Sequence, residues 1–281
     1  MATGRDRASG WQHAKLSGHE NESDVEQLFK KEEFKAAFSK RLGIGEIESA
    51  SVGGLCETDV ISVFGDRTKP KTDLTIKLKD GKTINVSIKK SAGGQVYLIG
   101  VGRFIDGFEK QFGKTIPPEV KELLYIYFYG SPKTNELLNS DAVTKGETPD
   151  LVTYQRSHNR LVWTSLKNWD KSKYDILLNW FKDNISDIAD FCFARGLAKD
   201  SKDWAQYVWY INLLGEDDFD EIFSIDDIKK VMAAHTAEIY PSSQNGGSTT
   251  QLPFGFVQWH QAKMQFHHSL AKLTEFANKS F

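Results

Sequence analysis

The chain has 281 residues, and its hydrophobic content of 40% and aromatic content of 12% are sufficient for a substantial core, which excludes disorder over most of the length. A net charge of -2 gives no general attraction to nucleic acid, and no apolar run reaches the roughly 18 residues of a membrane span. Two cysteines, Cys56 and Cys192, are too few for a disulfide framework and lack metal-ligand spacing. Because the polar start also lacks the apolar core of a signal peptide, we expect a cytoplasmic protein that does not associate with membranes.

The N-terminal segment contains a polar stretch and then an amphipathic one. Residues 1–19 are rich in Gly and Ser, and we expect them to be loosely ordered. A helix is predicted from about Asp24 to Arg41, with Ser23 or Asn21 as its N-cap and Gly43 just beyond its end. The chain is therefore expected to begin with one long helix.

Strands and helices alternate through the next part of the chain. Short strands are predicted at "IESASV" (47–52) and "DVISVFG" (59–65). The segment "YLIGVGRFIDGFEKQFG" (97–113) is predicted to be helical in its second half, and the prolines of "PPEVKELLYIYFYG" (117–130) suit a helix start. A helical subregion is predicted over about residues 148–200.

The C-terminal part favours strands around one more helix. Residues 203–213 are aromatic and β-rich, and "SIDDIKKVMAAH" (224–235) is predicted to be a helix with acids in its first turn. The segment "YPSSQNGGSTTQLPFG" (240–255) is typical of a long loop, and "FGFVQWHQAKMQFHH" (254–268) favours one or two strands. Without a repeat or a clear linker, the pattern predicts one α/β domain over residues 1–281 with a helical insertion.

Charge is distributed unevenly along the chain. Between Asp66 and Lys90, eight Lys or Arg residues stand against three Asp residues. Between Gly215 and Asp227, seven acidic residues stand without a basic one, which is typical of solvated surface. The basic run can bind a polyanion locally even though the whole protein is nearly neutral.

The basic run contains a predicted β-hairpin. In "PKTDLTIKLKDGKTINVSIKKS", Pro70 to Ser91, polar and apolar residues alternate on both sides of an Asp80-Gly81 turn. Because the second strand returns antiparallel to the first, Asp73 and Lys89 are expected to meet at the same end of the hairpin. A carboxylate and an ammonium group would then lie side by side at the sheet margin.

This placement matches the needs of metal-dependent phosphodiester hydrolysis. Such chemistry needs a carboxylate on a rigid strand, further oxygen ligands for Mg²⁺, and a cation near the phosphate. Asp73 supplies the carboxylate, and Ser87 and Lys89 lie two apart on one face of the second strand while Ile88 faces the core. The pattern also arises by chance in solvated hairpins, and a hydroxyl is a weaker metal ligand than a second carboxylate.

Four segments together resemble a known enzyme family. They are "KPKTD" with "VSIKKSA" (69–73 and 86–92), "GHENESDVEQLF" (18–29), "YDILLNWFKDNISDIADFCFARG" (174–196) and "PFGFVQWHQAKMQF" (253–266). They resemble the active-site signature, the opening helix, the helical middle and the C-terminal segment of the MspI-like group of type II restriction endonucleases, within the PD-(D/E)XK nuclease superfamily. That group tolerates an amide where most PD-(D/E)XK nucleases carry the second acid, and Ser87 is a further departure at this position.

The resemblance implies a fold, a cofactor and a set of catalytic residues. The fold is α/β, with a central mixed β-sheet flanked by helices, and the cofactor is Mg²⁺. Asp73 would be the central Mg²⁺ ligand and Lys89 the catalytic lysine. Ser87 would hold a metal-bound water or contact the ion weakly, and the Ile88 carbonyl would add an oxygen. Glu22 would join the metal site from the N-terminal helix, although an acid in a first helical turn is also favoured by the helix dipole alone.

Recognition of DNA requires donors and acceptors for base edges and cations for phosphates. The family uses the region after the catalytic lysine and the C-terminal segment for DNA contacts, and both regions of this chain are rich in such groups. Each group taken singly is also compatible with ordinary strand polarity. The predicted DNA-binding residues are Lys71, Lys90, Ser91, Gln95, Arg103, Gln258, His260, Gln261, Lys263 and Gln265, with Lys69 and Lys167 as further phosphate contacts.

We therefore expect a Mg²⁺-dependent type II restriction endonuclease that cuts both strands of double-stranded DNA and leaves a 5′-phosphate and a 3′-hydroxyl. A cognate DNA methyltransferase would be its genetic partner, and the enzyme would act as a monomer or a homodimer. Two alternatives stay open. One is a PD-(D/E)XK nuclease of DNA repair or recombination, and the other is a DNA-binding protein that has lost catalysis, of which Ser87 would be the sign.

Overall fold

The computed structural model describes residues 7–52, 59–129, 162–215, 219–242, 249–260 and 263–280. The chain divides into two compact units. The first unit comprises Met1–Ala92 with Phe193–Ile225, and the second comprises Gly93–Cys192 with Asp226–Phe281. The single endonuclease domain expected over residues 1–281 stays a prediction.

Both units contain helices as well as strands. The helices are α1 (Arg7–Leu28), α2 (Glu32–Leu42), α3 (Val101–Phe112), α4 (Pro118–Leu124), α5 (Trp163–Trp169), α6 (Lys171–Asp190), α7 (Ile225–Ala234) and α8 (Leu270–Ser280). The strands are β1 (Ile47–Val52), β2 (Val60–Ile61), β3 (Arg67–Thr68), β4 (Leu74–Leu78), β5 (Thr83–Lys89), β6 (Gly93–Gly100), β7 (Tyr207–Ile211), β8 (Asp220–Ser224), β9 (Tyr240–Ser242), β10 (Thr249–Leu252), β11 (Gly255–His260) and β12 (Lys263–Ser269). Single π-helical turns extend α4 over Tyr125–Tyr129 and α6 over Phe191–Arg195.

The N-terminal helix differs from the prediction in two ways. Residues 7–19, which we expected to be loose, already belong to α1, since no proline interrupts this stretch and its glycines each cost only about 1 kcal/mol. The helix predicted over 24–41 is two helices. Three i→i-3 hydrogen bonds end α1 at Phe29 to Lys31, and an extended Lys31 (φ -94°, ψ 121°) starts α2. The break lets the ring of Phe29, just after α1, meet the ring of Phe38 in α2, with their centroids 5.1 Å apart.

The sheet of the first unit is mixed, as predicted. Its strand order is β1-β4-β5-β7-β8, and β5 pairs parallel to β7 while the other neighbours are antiparallel. The predicted hairpin forms from β4 and β5, with Leu74 opposite Val86. Gly81, at φ 85°, supplies the left-handed conformation that its turn requires. Because α1 and α2 contact β1, the prediction of an α/β fold with a mixed sheet flanked by helices is confirmed.

A hydrophobic core holds these helices to the sheet. Val25 of α1 and Phe29, just beyond its end, pack in one buried cluster with Trp209 of β7 and with Val86 and Ile88 of β5. Fully burying a side chain of this kind stabilises the fold by roughly 1.5–3 kcal/mol. The apolar face of β5 therefore fixes the strand that carries Ser87 on its opposite face.

The second unit contains its own sheet, with the order β6-β12-β11-β10-β9 and antiparallel pairing throughout. The prediction of a long loop over 240–255 is wrong in part, because this segment contains the strands β9 and β10. Residues 243–248, between the two strands, lie outside the described part of the structure. Thr249 and Thr250 are almost completely buried, and the Trp163 indole donates a 2.9 Å hydrogen bond to the Thr250 hydroxyl. This tertiary contact gives the polar segment its strand structure.

The strand predicted over 59–65 is shorter in the structure, where only Val60–Ile61 forms β2, and the other predicted elements agree. The helical subregion is helical from Trp163 through Arg195, except for the extended Asp170, and its residues 148–161 lie outside the described part. The strands expected in 203–213 and 254–268 are confirmed, as are α3, α4 and α7. Among the described residues, no helix is both long enough and apolar enough to cross a bilayer.

Candidate active site

Asp73 is fixed at the open end of the hairpin. It precedes β4 directly, and its backbone N–H donates to the Val86 carbonyl at 2.9 Å. Its carboxylate oxygen Oδ2 accepts hydrogen bonds from the Ile88 backbone N–H at 2.6 Å and from the Ser87 hydroxyl at 3.0 Å. Only 9% of the residue is exposed. The neighbouring strand therefore holds one carboxylate oxygen rigidly, and no described residue donates a hydrogen bond to Oδ1.

Lys89 lies beside this carboxylate, as the hairpin pattern predicted. Its Nζ is 3.7 Å from Asp73 Oδ2, and it donates to the Ser87 hydroxyl at 2.6 Å and to the Ile88 carbonyl at 3.2 Å. Ser87 is fully buried and accepts from the ammonium group while it donates to the carboxylate. The serine is thus a hydroxyl bridge between the two charges.

The bridge gives a physical meaning to the departure from an acid at position 87. A carboxylate there would stand within hydrogen-bonding distance of the Asp73 oxygen, and the two negative charges would repel. The hydroxyl avoids that repulsion because it can donate on one side and accept on the other. Whether Ser87 also holds a metal-bound water stays a prediction.

Glu22 reaches the same region from α1, although it lies about fifty positions before Asp73 in the sequence. Burial, and to a smaller extent the negative charge of Asp73, raise the pKa of Glu22 to about 8 against the lowering effect of the positive charge of Lys89. The oxygen Oε2 is buried and accepts no hydrogen bond from the described residues, and His19 Nδ1 lies 3.5 Å away. An acid that is buried without a hydrogen-bond donor is available for another ligand.

The oxygen atoms gathered here suit a hard cation. Asp73, Glu22, the Ser87 hydroxyl and the Ile88 carbonyl supply only oxygen donors, the type that Mg²⁺ prefers. The orphaned Glu22 oxygen is consistent with a site for such an ion. Among the described residues, no group of three or more His, Cys, Asp or Glu side chains could hold a metal, so the set has two carboxylates and no more.

The predicted phosphate contacts of the first unit belong to the same hairpin end. Lys71 precedes Asp73 by two residues, and Lys90 and Ser91 follow Lys89. Lys71 and Lys90 are half-buried and Ser91 is exposed. Since antiparallel pairing brings the start of β4 and the end of β5 together, these residues belong to the same end of the hairpin as Asp73. Outside this group, Lys69 Nζ forms an ion pair with Asp59 Oδ1 at 3.0 Å.

In the second unit, three predicted DNA-binding glutamines form one hydrogen-bonded ladder across three strands. Gln258 Nε2 of β11 donates to Gln265 Oε1 of β12 at 2.8 Å, and Gln265 Nε2 donates to Gln95 Oε1 of β6 at 2.7 Å. Gln265 is only 9% exposed, and both ends of its amide are used within the ladder. Gln95 is exposed, and its Oε1 is the acceptor within the ladder. Gln265 therefore orients its neighbours rather than reaching a ligand.

The other predicted DNA contacts are placed separately. Arg103 in α3 and Lys263 at the start of β12 are exposed, and so is Lys167 in α5. His260 ends β11, but its side chain lies outside the described part of the structure, as does the whole of Gln261.

The surroundings of Asn21, which precedes Glu22 in α1, were missed from the sequence. Asn21 was predicted as a possible N-cap, but it lies inside α1, is fully buried and hydrogen-bonds to the chain at Ile211 and Leu213. No local signal could have shown this, because its partners lie about 190 positions away in the sequence.

Comparisons with known proteins give a structural likeness and no match of sequence. No protein-family model matches the chain, and no curated protein matches it. Among solved structures, the chain is similar to the restriction endonuclease MspI in complex with its cognate DNA, with 14% sequence identity and a TM-score of 0.45. The match covers 84% of this chain and 77% of that chain.

Proposed function

We propose that this protein is a type II restriction endonuclease that uses Mg²⁺ to hydrolyse both strands of double-stranded DNA at a short site, leaving a 5′-phosphate and a 3′-hydroxyl. The observation that carries the proposal is the cluster at the open hairpin end, where Lys89 stands 3.7 Å from the buried Asp73 carboxylate. Glu22 adds a second, half-buried acid to the cluster. The resemblance of the hairpin and three further segments to the PD-(D/E)XK nucleases supports the same assignment.

Asp73 and Glu22 would hold the Mg²⁺, with the Ser87 hydroxyl and the Ile88 carbonyl as further oxygen donors. The chemistry that Mg²⁺ supplies when bound is polarisation of the scissile phosphate and a lowered pKa of the attacking water. Ile88 and Ser87 keep the Asp73 carboxylate in one orientation through their two hydrogen bonds. This preorganisation means that the ligand does not have to be ordered again in each catalytic cycle.

Lys89 would stabilise the negative charge that builds up on the phosphate oxygens. Its ammonium group is held by Ser87 Oγ and the Ile88 carbonyl, so it is fixed before the DNA binds. A fixed cation in a site shielded from water acts more strongly on a transition state than a mobile one on the surface. Lys71, Lys90 and Ser91 would contact neighbouring phosphates and position the duplex.

Base recognition would fall to the second unit. Gln95 offers two N–H donors and Gln258 belongs to the same ladder, which suits the acceptors and donors of base edges. Arg103, His260, Gln261 and Lys263 would add contacts to bases or phosphates. The proposal includes double-stranded DNA as partner, a cognate DNA methyltransferase that protects the host genome, a cytoplasmic location, and action as a monomer or homodimer.

A second candidate is a DNA-binding protein that has lost catalysis. The observation that favours it is the small number of acids, because Ser87 stands where most such nucleases have an acid and the described residues contain no group of three or more His, Cys, Asp or Glu side chains that could hold a metal. This protein would keep its basic hairpin end and its amide ladder, but it would not cut DNA.

The experiment that tests both candidates uses purified protein, Mg²⁺ and phage DNA. Discrete fragments that disappear with a chelator support the restriction enzyme, whereas a smear or cuts that depend on DNA structure support a repair or recombination nuclease. Intact DNA together with binding in a gel-shift assay supports the second candidate. The Asp73→Asn protein, purified in parallel, excludes a contaminating nuclease.

A further inference from the structure

A fully buried asparagine stands next to Glu22 in α1. Asn21 Nδ2 donates to the Ile211 carbonyl at 3.0 Å, and its Oδ1 accepts from the Leu213 backbone N–H at 2.7 Å. One side chain therefore satisfies both an acceptor and a donor of a distant backbone segment. Two directional hydrogen bonds from one amide fix its position and its rotation together.

The attachment point lies beside the catalytic strand. β7 runs parallel to β5, with Tyr210 opposite Lys89, and Ile211 is the next residue of β7. Asn21 thus holds α1 to the end of β7 that adjoins Lys89. Because Glu22 follows Asn21 in the helix, the same two hydrogen bonds set where Glu22 stands relative to Lys89.

The apolar contacts of α1 do not set this position on their own. Val25 and Phe29 are buried with Phe38 and Trp209 in the core of the first unit. Hydrophobic contact is non-directional, so it tolerates a small rotation of the helix about its axis. Such a rotation would move the Glu22 carboxylate, whereas the hydrogen bonds of Asn21 oppose it.

We propose that Asn21 is a positioning residue, which holds Glu22 where its carboxylate can bind Mg²⁺ beside Asp73. The inference rests on the proposed function, since it assigns Asn21 a part in the same metal site. Residues that orient a metal ligand typically change metal affinity or activity about 10- to 100-fold when they are replaced.

The test is a double-mutant cycle with Mg²⁺ alone as the probe. Mg²⁺ is titrated calorimetrically into DNA-free wild-type protein, Asn21→Ser, Glu22→Gln and the double variant. We expect Asn21→Ser to weaken Mg²⁺ binding about tenfold in the wild-type background and to have no further effect in the Glu22→Gln background. The cleavage rates of the four proteins should show the same loss of additivity.

The matched control is Val25→Ala, which weakens packing of the same helix without touching the two hydrogen bonds. It should lower the melting temperature and keep the Mg²⁺ affinity within about twofold of wild type. If Asn21→Ser does not fold, as judged by circular dichroism, Asn21→Gln replaces it in the cycle, because it keeps the amide donor and acceptor but displaces them by one methylene.

Two results overturn the inference. One is an Asn21 variant that binds Mg²⁺ as tightly as wild type, and the other is an equal loss in the presence and absence of Glu22. Failure of the proposed function looks different, because then the wild-type protein itself neither binds Mg²⁺ nor cuts DNA. That outcome removes the inference about Asn21 together with the function.

Discussion

In the sheet of the first unit the polar cluster is ionic and nearly closed to solvent, whereas in the sheet of the second unit it is neutral and reaches the surface. The first cluster joins Asp73, Ser87 and Lys89, with a fully buried serine at its centre. The second joins three amides from adjacent strands and ends at the exposed Gln95.

The difference follows from what each kind of group costs when it is buried. A buried charge without a partner is strongly destabilising, so the ionic cluster is held by short hydrogen bonds from its own hairpin. A neutral amide costs less to leave partly unpaired, so it can exchange a water for a ligand group. The first arrangement suits chemistry on a fixed phosphate, and the second suits recognition. Four changes, from the largest expected effect to the smallest, test this division.

Removing the carboxylate of Asp73 should have the largest effect. Asp73→Asn keeps the shape of the side chain but removes the charge that would hold the metal, and we expect cleavage to fall about 1,000-fold or more. DNA binding, measured by gel shift, should be nearly unchanged because the lysines and amides remain. Asp80→Asn is the control, since it removes an exposed carboxylate in the turn of the same hairpin. If Asp73→Asn cuts DNA at a rate near that of wild type, the active site lies elsewhere.

Removing the ammonium group of Lys89 should have the second-largest effect on cleavage. Lys89→Met keeps the apolar stem and should lower the single-turnover cleavage rate by about 100- to 1,000-fold, since one preorganised charge-stabilising donor is lost. Lys77→Met on the opposite strand removes an exposed lysine of the same hairpin and should leave the rate within about twofold. Equal losses in the two variants would show that the hairpin acts only through its overall charge.

The pH dependence of the free energy of unfolding should reveal the raised pKa of Glu22. Since its pKa is raised to about 8 in the folded protein, the folded state binds more protons than the unfolded state between about pH 4.5 and pH 8. The free energy of unfolding of the metal-free protein should therefore decrease as the pH rises through this window, by at most a few kcal/mol. Glu22→Gln should remove the decrease in urea titrations at pH 5 and pH 8. Glu46→Gln, which changes an exposed acid, should retain it.

How much of this could be predicted from the sequence depends on how local each feature is. The hairpin and the meeting of Asp73 with Lys89 follow from alternation and one turn, so they were predicted correctly. The break between α1 and α2 was not, because it is set by the packing of Phe29 and Phe38 around Trp209.

The same reasoning applies to the candidate site. Glu22 was assigned only through the family resemblance, since nothing in its helix predicts a partner about fifty residues away. The bridging geometry of Ser87 and the backbone partners of Asn21 depend on distances that no spacing rule contains. In the second unit, the sequence predicted Gln95, Gln258 and Gln265 as separate DNA contacts, and it could show neither that they form one ladder nor which of them is buried.

The smallest effect is expected from changes in the amide ladder. Two variants distinguish a glutamine that orients its neighbours from a glutamine that contacts DNA itself. Gln265→Leu removes the central amide and leaves both neighbours without their ladder partner, whereas Gln95→Ala removes only the exposed end. We expect Gln265→Leu to weaken binding to the cleaved site about tenfold and Gln95→Ala somewhat less, because one bidentate base contact is worth roughly 1–3 kcal/mol. Binding to unrelated DNA should not change in either variant, since phosphate contacts dominate it. Fluorescence anisotropy with the Asp73→Asn protein measures both affinities without cleavage, and Lys272→Ala is the surface control. Equal weakening on both DNAs would mean that the ladder supports the sheet of the second unit and takes no part in recognition.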